Sequence, residues 1–161
     1  MITQTLFSPE TVSLFTKLVV AMLCGALIGT ERIIAHKTAG MRTYALVAMG
    51  SALFIALGQI VFANLHLAGV TGIDPFHIPA AIITGVGFMG AGIFILKDTG
   101  VTGLTTASGL WVSAGIGIAC GYGLFTPALM TTVLMLFVFV VLWYVEQGVR
   151  KISSRNDTSK S

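Results

Sequence analysis

Long uncharged stretches dominate the chain and alternate with short polar segments. No Asp, Glu, Lys or Arg occurs in residues 43–73, 75–96 or 99–145. About 18 mostly apolar residues are enough for a helix to cross the hydrocarbon core of a bilayer, which is roughly 30 Å thick. The pattern therefore predicts an all-α membrane protein with several transmembrane helices, and it excludes the soluble classes.

Breaks in the apolar pattern delimit five predicted transmembrane helices. The first runs from about Thr11 to Gly29, because Ser8-Pro9-Glu10 before it has the residues of a helix N-terminus. Segment 30–42 is rich in charged residues, which predicts an extramembrane turn. The other four helices are predicted, with approximate bounds, over 43–63, 77–96, 104–120 and 126–145.

Charge placement predicts the orientation and the domain organisation. Only 9% of the 161 residues are charged, against about 25% in a typical soluble domain. With five spans, every lysine and arginine except Lys17 lies on one side, which the positive-inside rule makes cytoplasmic. The net charge of +3 thus indicates topology rather than nucleic-acid binding. We expect a periplasmic segment 1–10, a membrane domain 11–145 and a basic cytoplasmic tail 146–161, which frays after Ile152.

Small residues recur at helical spacing on three of the predicted helices. Helices in lipid associate largely through close backbone contact over such residues. We therefore expect the first and fourth helices to pack very closely against other helices, either within the bundle or across a dimer interface. The glycines of the third helix formally match a dinucleotide-binding fingerprint but lack its preceding strand and its acidic residue. They are instead expected to make the helix narrow, so that neighbouring segments can approach it closely. The packing residues are Ala21, Gly25, Gly29, Gly85, Gly87, Gly90, Gly109, Ser113, Gly117 and Gly121.

Ionisable residues beside the spans are the candidate functional groups, because charge within a membrane is costly. One interpretation is an ion pair, Glu31–Arg42 or Asp98–Arg32, at the cytoplasmic ends of the helices. The other is that these residues are simply helix ends in contact with water. Asp74 precedes a proline and is interpreted as a turn and helix N-cap, or as a functional carboxylate.

Lys17 falls two turns into the first helix, so it belongs to the few charges within a predicted span. Its long apolar stem would let the ammonium reach outward to the headgroups. Pairing with Glu10 or with Asp74 is the alternative.

A magnesium path would need hard oxygen ligands, which are few in this chain. No two carboxylates are close in sequence, so we expect no cofactor and at most weak Mg²⁺ binding. No P-loop, Ser-His-Asp set or HExxH motif is present, which argues against an enzyme. The candidate ion or partner site comprises Glu31, Arg32, Arg42, Thr43, Asp74, Asp98, Thr105 and Thr106, with Asn64 and Thr84 as further oxygen donors.

Three segments carry a family resemblance: GALIGTERIIAHKTAGMRTYALVAMGSALF (25–54), DPFHIPAAIITGVGFMGAGIFILKD (74–98) and VTGLTTASGLWVSAGIGIACGYG (101–123). In order and spacing they resemble the MgtC/SapB family of bacterial inner-membrane proteins. The resemblance implies five transmembrane helices and a link to magnesium-limited growth, virulence and acid tolerance. Many members are labelled magnesium transport accessory proteins. The polar positions that match are Glu31, Arg32, Gly40, Arg42, Thr43, Asp74, Pro75 and Thr106.

The chain departs from the family pattern at several charged positions. Ile33 and Ala35 stand where charged residues are common, His77 and Ala81 replace Arg and Gln, and Thr102 replaces Arg. Larger members carry a soluble C-terminal domain after the last helix. We expect this chain to be a short form without that domain.

Two functions from different classes follow from these features. The first is a non-enzymatic inner-membrane protein that acts in magnesium homeostasis or stress adaptation by binding and modulating another membrane protein. The alternative is a small oligomeric transporter or channel for Mg²⁺ or another small ion. A purely structural assembly factor is a third possibility. The expected partners are membrane lipid, another inner-membrane protein and a second copy of the chain.

Overall fold

The structure is a computed structural model that describes residues 8–72, 74–93, 95–97 and 100–158. These residues form five helices and one short β-hairpin, so the predicted all-α membrane fold with five helices is confirmed. By length and composition, four of the helices, α1, α2, α4 and α5, can cross a membrane. The helices are α1 (Pro9–Ile34), α2 (Met41–Leu67), α3 (His77–Ala91), α4 (Leu104–Gly121) and α5, which joins Phe125–Phe137, the π-helical Val138–Leu142 and Trp143–Thr158.

Helix α1 begins where the sequence predicts and ends later. The Ser8 hydroxyl accepts a hydrogen bond from the Thr11 amide at 3.2 Å and caps the helix. No glycine or proline follows Gly29 until Gly40, and α1 continues to Ile34. The segment 30–42, predicted as a turn, is therefore helical at residues 30–34 and 41–42, and its extramembrane location stays a prediction.

The third helix is shorter than the sequence predicts. α3 ends at Ala91 rather than near Leu96, and its 15 residues span only about 22 Å at 1.5 Å per residue. Gly90 and Gly92 flank its last residue, and glycine is a poor helix former. Two strands follow, β1 (Ile95–Lys97) and β2 (Gly100–Thr102), which pair antiparallel.

Helix α4 contacts the four other helices and forms the centre of the bundle, and α2 packs mainly against α1 and α4. α5 packs against α4 and α1, whereas α3 packs mainly against α4. The largest side chain buried in this core belongs to Tyr44 of α2. The same core cluster contains Ala48, Ala52, Ile28, Leu110 and Ala114.

Glycines on both sides of α2 allow its close packing. A Cβ atom built on Gly25 of α1 would lie 2.9 Å from the Ala45 Cα atom. One built on Gly117 of α4 would lie 2.8 Å from the Ala48 carbonyl carbon. The two small-residue stripes thus pack against the same helix, α2, within the bundle, beside the contact between α1 and α4.

The bundle has two ends, which we name by their charged residues. The Arg32 end contains the end of α1, the start of α2 and the start of α4. At the Asp74 end, the Tyr122 hydroxyl donates to the Pro75 carbonyl at 3.2 Å and ties the loop before α3 to α4. The cytoplasmic location of the Arg32 end and the domain bounds stay predictions. The last helix continues to Thr158, past the predicted fraying point at Ile152.

Candidate functional site

Arg32 is a buried cation in the last turn of α1. The residue is 3% exposed, and its Nε donates to the Glu31 carboxylate in an ion pair. Its guanidinium carbon lies 3.4 Å from the centre of the Phe139 ring. A desolvated cation is stabilised by an opposite charge and by the face of an aromatic ring. Arg32 receives both.

Phe139 reaches Arg32 from the π-helical turn of α5. Its neighbours Val138 and Val140 are exposed, whereas Phe139 is 7% exposed. Phe139 continues the helical spacing of the buried residues Thr132 and Met135. This spacing points its ring into the bundle.

Tyr44 connects α2 to α4 beside this ion pair. Its hydroxyl donates to the Thr106 carbonyl oxygen at 3.2 Å. The Ser113 hydroxyl in turn donates to the Tyr44 carbonyl oxygen at 3.2 Å. Gly109 leaves the room for the Tyr44 ring, because a Cβ there would collide with the tyrosine hydroxyl. We call Glu31, Arg32, Tyr44, Thr106 and Phe139 the Arg32 cluster.

Other predicted site residues lie at the same end but outside the cluster. Arg42, Thr43 and Thr105 are exposed. The predicted Glu31–Arg42 pair is not formed, because the Glu31 carboxylate pairs with its neighbour Arg32. Asp98 lies outside the described residues, and so does the predicted Asp98–Arg32 pair.

Asp74 lies at the opposite end of the bundle from the Arg32 cluster and is exposed. Its Oδ1 accepts the Phe76 amide at 2.9 Å, which closes the predicted turn. The N-cap of α3 is Phe76, so the predicted capping role of Asp74 was wrong. Lys17 donates from Nζ to Gln59 Oε1 at 3.0 Å, whereas the sequence suggested an outward reach or pairing with Glu10 or Asp74.

The glycines of α3 differ from those of α1 and α4. A Cβ on Gly90 would make an ordinary contact with the Ala107 Cβ at 3.4 Å, whereas one on Gly85 or Gly87 would meet nothing within 4 Å. Only Gly90 thus lies against a neighbouring helix. The outward side of α3 is left without a partner among the described residues, and we call it the α3 face: Ala80, Ala81, Thr84, Gly85, Gly87 and Phe88.

The carboxylates near these sites are engaged in local contacts. Glu31 accepts from Arg32, and Asp74 accepts from a backbone amide. Among the described residues, no group of three or more His, Cys, Asp or Glu side chains could hold a metal ion. At the Arg32 end, packing and hydrogen bonds therefore fix the position of the buried Arg32 charge.

Comparison with known proteins identifies the family. The MgtC family model matches residues 18–147, which include every member of the Arg32 cluster and the whole α3 face. The chain belongs to the MgtC family. It is therefore a membrane protein of the same family as its bacterial relatives.

Three MgtC-family relatives illustrate the similarity. YhiD of Escherichia coli K12, provisionally named a magnesium transporter, is 38% identical over 75% of this chain and 56% of its own length. Protein MgtC of Salmonella typhimurium 14028s is 41% identical over 84% of this chain and 54% of its own length. An uncharacterised Haemophilus influenzae protein is 35% identical over 95% of this chain and 65% of its own length. The chain thus spans about half the length of the first two, and no solved structure matches it significantly.

Sequence reasoning missed Tyr44 and Phe139 in this MgtC-family site. Tyr44 had a usable signal, because it is one of three tyrosines and directly follows the candidate pair Arg42-Thr43. Phe139 had none, because it is one of ten phenylalanines in apolar surroundings. Its direction follows the helical spacing of the buried residues of α5, which the uniformly apolar sequence of that helix hides.

Proposed function

We propose that this chain is a non-enzymatic protein of the bacterial inner membrane that acts in magnesium homeostasis by binding and modulating another membrane protein. The α3 face is the docking surface for that partner. Stress or virulence adaptation is the physiological setting. Self-association of the chain through other surfaces is compatible with this role.

One observation carries the proposal: Gly85 and Gly87 of α3 have no neighbour among the described residues, whereas Gly25 of α1 and Gly117 of α4 pack against α2. Gly25 and Gly117 lie within van der Waals contact of the α2 backbone, but the space around Gly85 and Gly87 is open. Without a hydrophobic driving force between helices in lipid, small residues support close helix association. Gly85 and Gly87 are two residues apart and therefore lie on the two flanks of the α3 face, where each leaves room for a partner helix.

The relatives support the magnesium part of the proposal. One relative carries a name as a magnesium transporter and another is named MgtC. Because this chain spans about half of their length, a role that depends on the membrane domain is the one that transfers most directly. Both the family match and the α3 face lie in that domain.

The test compares leucine substitutions at open glycines. Gly85→Leu and Gly87→Leu would fill the α3 face, whereas Gly50→Leu fills an equally open position on α2. In a deletion strain grown at low Mg²⁺, we expect the α3 variants to lose both growth and the co-purifying partner at unchanged protein level. Gly50→Leu should retain both. Normal growth with the α3 variants, or co-purification of this chain alone, would contradict the proposal.

A second candidate function is a small oligomeric transporter or channel for Mg²⁺ or another small ion. This transport function is favoured by the Glu31 carboxylate, whose side chain is 16% exposed near the end of α1. Flux into liposomes with an interior Mg²⁺ dye tests it. Saturable uptake that is lost in Glu31→Gln and Asp74→Asn would support transport; no uptake by folded, inserted protein would exclude it and leave the modulator.

A further inference from the structure

A lateral cleft of about 910 Å³ opens between α2 and α3 at the Asp74 end. The two helices meet where Ile78 contacts Gly58, and α3 otherwise packs mainly against α4. This volume is within the roughly 300–1,000 Å³ of small-molecule sites. Most of the wall is hydrocarbon, contributed by Ile55, Leu57, Val61, Phe62, Leu65 and Ile78.

Opposite charges lie at the polar edge of this cleft. Gln59 lines the cleft, and its Oε1 accepts a hydrogen bond from Lys17 Nζ at 3.0 Å. The Asp74 carboxylate also lines the cleft and uses Oδ1 for the Phe76 amide at 2.9 Å. His77 adds an imidazole to the same wall. The cleft thus combines a long apolar wall with one anion, and the Lys17 cation adjoins it through its hydrogen bond to Gln59.

We propose that this cleft binds a phospholipid with a primary ammonium headgroup, of the phosphatidylethanolamine type. One acyl chain fills the apolar part between α2 and α3. The phosphate pairs with the Lys17 ammonium, and the headgroup ammonium pairs with the Asp74 carboxylate. Lipid is the occupant because α2 crosses the membrane, so the medium beside the cleft is hydrocarbon. A zwitterionic headgroup complements both charges.

The experiment measures lipid retention by native mass spectrometry. The full chain is reconstituted in nanodiscs containing equal amounts of phosphatidylethanolamine, phosphatidylglycerol and phosphatidylcholine, and is then released in mild detergent. Val61→Trp fills the cleft, while Val133→Trp places the same ring on α5, away from the cleft. Both valines are exposed, 55% and 65% respectively, so both variants should fold.

We expect the unmodified chain to retain one phosphatidylethanolamine preferentially. Val61→Trp should lower its occupancy about tenfold, because contact with a few methylene groups is lost, and Val133→Trp should leave it unchanged. Lys17→Gln should weaken retention of all three lipids. Asp74→Asn should remove the preference for phosphatidylethanolamine over phosphatidylcholine, whose headgroup has no N–H donor.

Three results would overturn the assignment. The first is a chain released without lipid. The second is equal retention by the Val61→Trp and Val133→Trp variants. The third is a dimer in place of the lipid adduct, dissociated by Val61→Trp, because a second copy would then occupy the cleft.

Discussion

The guanidinium group of Arg32 stacks on the Phe139 ring, with its central carbon 3.4 Å from the ring centre. This contact joins the end of α1 to the π-helical turn of α5. Together with the Glu31 ion pair, it explains how a cation that is 3% exposed is accommodated in a bundle this poor in charge. Arg32 is thus part of the packed structure, and its partners determine its stability.

Replacement of the Phe139 ring should destabilise the bundle. Phe139→Leu keeps an apolar side chain but removes the cation–π contact, which contributes about 2 kcal/mol when desolvated. We expect the free energy of unfolding, measured by SDS titration in mixed micelles, to fall by that order. Phe137→Leu is the control, because Phe137 is 53% exposed. Equal losses in the two variants would contradict the contact.

Loss of the Glu31 charge alone should lower the free energy of unfolding more than loss of the whole ion pair. Glu31→Gln leaves Arg32 buried without its anion, which costs about 3 kcal/mol. The double variant Glu31→Gln/Arg32→Met removes both charges and should recover much of that stability. The same titration measures both.

The exposed pair of Glu146 and Arg150 is a matched control for this cycle. Its side chains are 56% and 74% exposed, so Glu146→Gln should change the unfolding free energy by less than about 1 kcal/mol. If Glu31→Gln were as mild as Glu146→Gln, Arg32 would not depend on Glu31.

Two glycines on α4 should respond oppositely to alanine. Gly117→Ala places a Cβ 2.8 Å from the Ala48 carbonyl carbon, and such overpacking costs about 1–3 kcal/mol. Gly115→Ala meets nothing within 4 Å and should stabilise the helix by roughly 0.5–1 kcal/mol. Thermal unfolding in detergent compares the two. A similar change in both would mean that α4 does not pack against α2 as described.

The thiols of Cys24 and Cys120 should form a disulfide on oxidation. Both are free and buried, and both belong to the core cluster in which α1 packs against α4. Molecular iodine, which enters the bilayer, would oxidise the pair to a disulfide and be reduced to iodide. Peptide mass spectrometry should find the Cys24–Cys120 crosslink, and Cys24→Ser should abolish it. Full alkylation of both thiols after oxidation and denaturation would refute their proximity.

The number and type of helices could be predicted from the sequence because lipid imposes a strong constraint. A spanning backbone must satisfy its own hydrogen bonds, so the apolar stretches are helical over most of their length. The ends of helices obey weaker rules. α3 stops at Ala91 because glycines flank that residue and a hairpin follows, although the apolar run itself continues to Leu96.

The candidate site could be predicted only in part. Glu31 and Arg32 are visible as rare charges beside a span, but a charged residue in sequence does not indicate whether it faces water. Arg32 is buried because Phe139 from a distant helix reaches it. The partners of small residues are equally hidden: the sequence shows Gly87 and Gly117 alike, whereas only Gly117 contacts another helix.

The central claim is that a second membrane protein docks on the α3 face. A photoreactive benzoylphenylalanine at Phe88, which is 83% exposed, reports contacts of that face in cells grown at low Mg²⁺. The same group at Phe54 of α2, 58% exposed, is the matched control. Irradiation should give a discrete adduct with another membrane protein from position 88 and none from position 54. No adduct, the same adducts from both positions, or an adduct made only of two copies of this chain would contradict the claim.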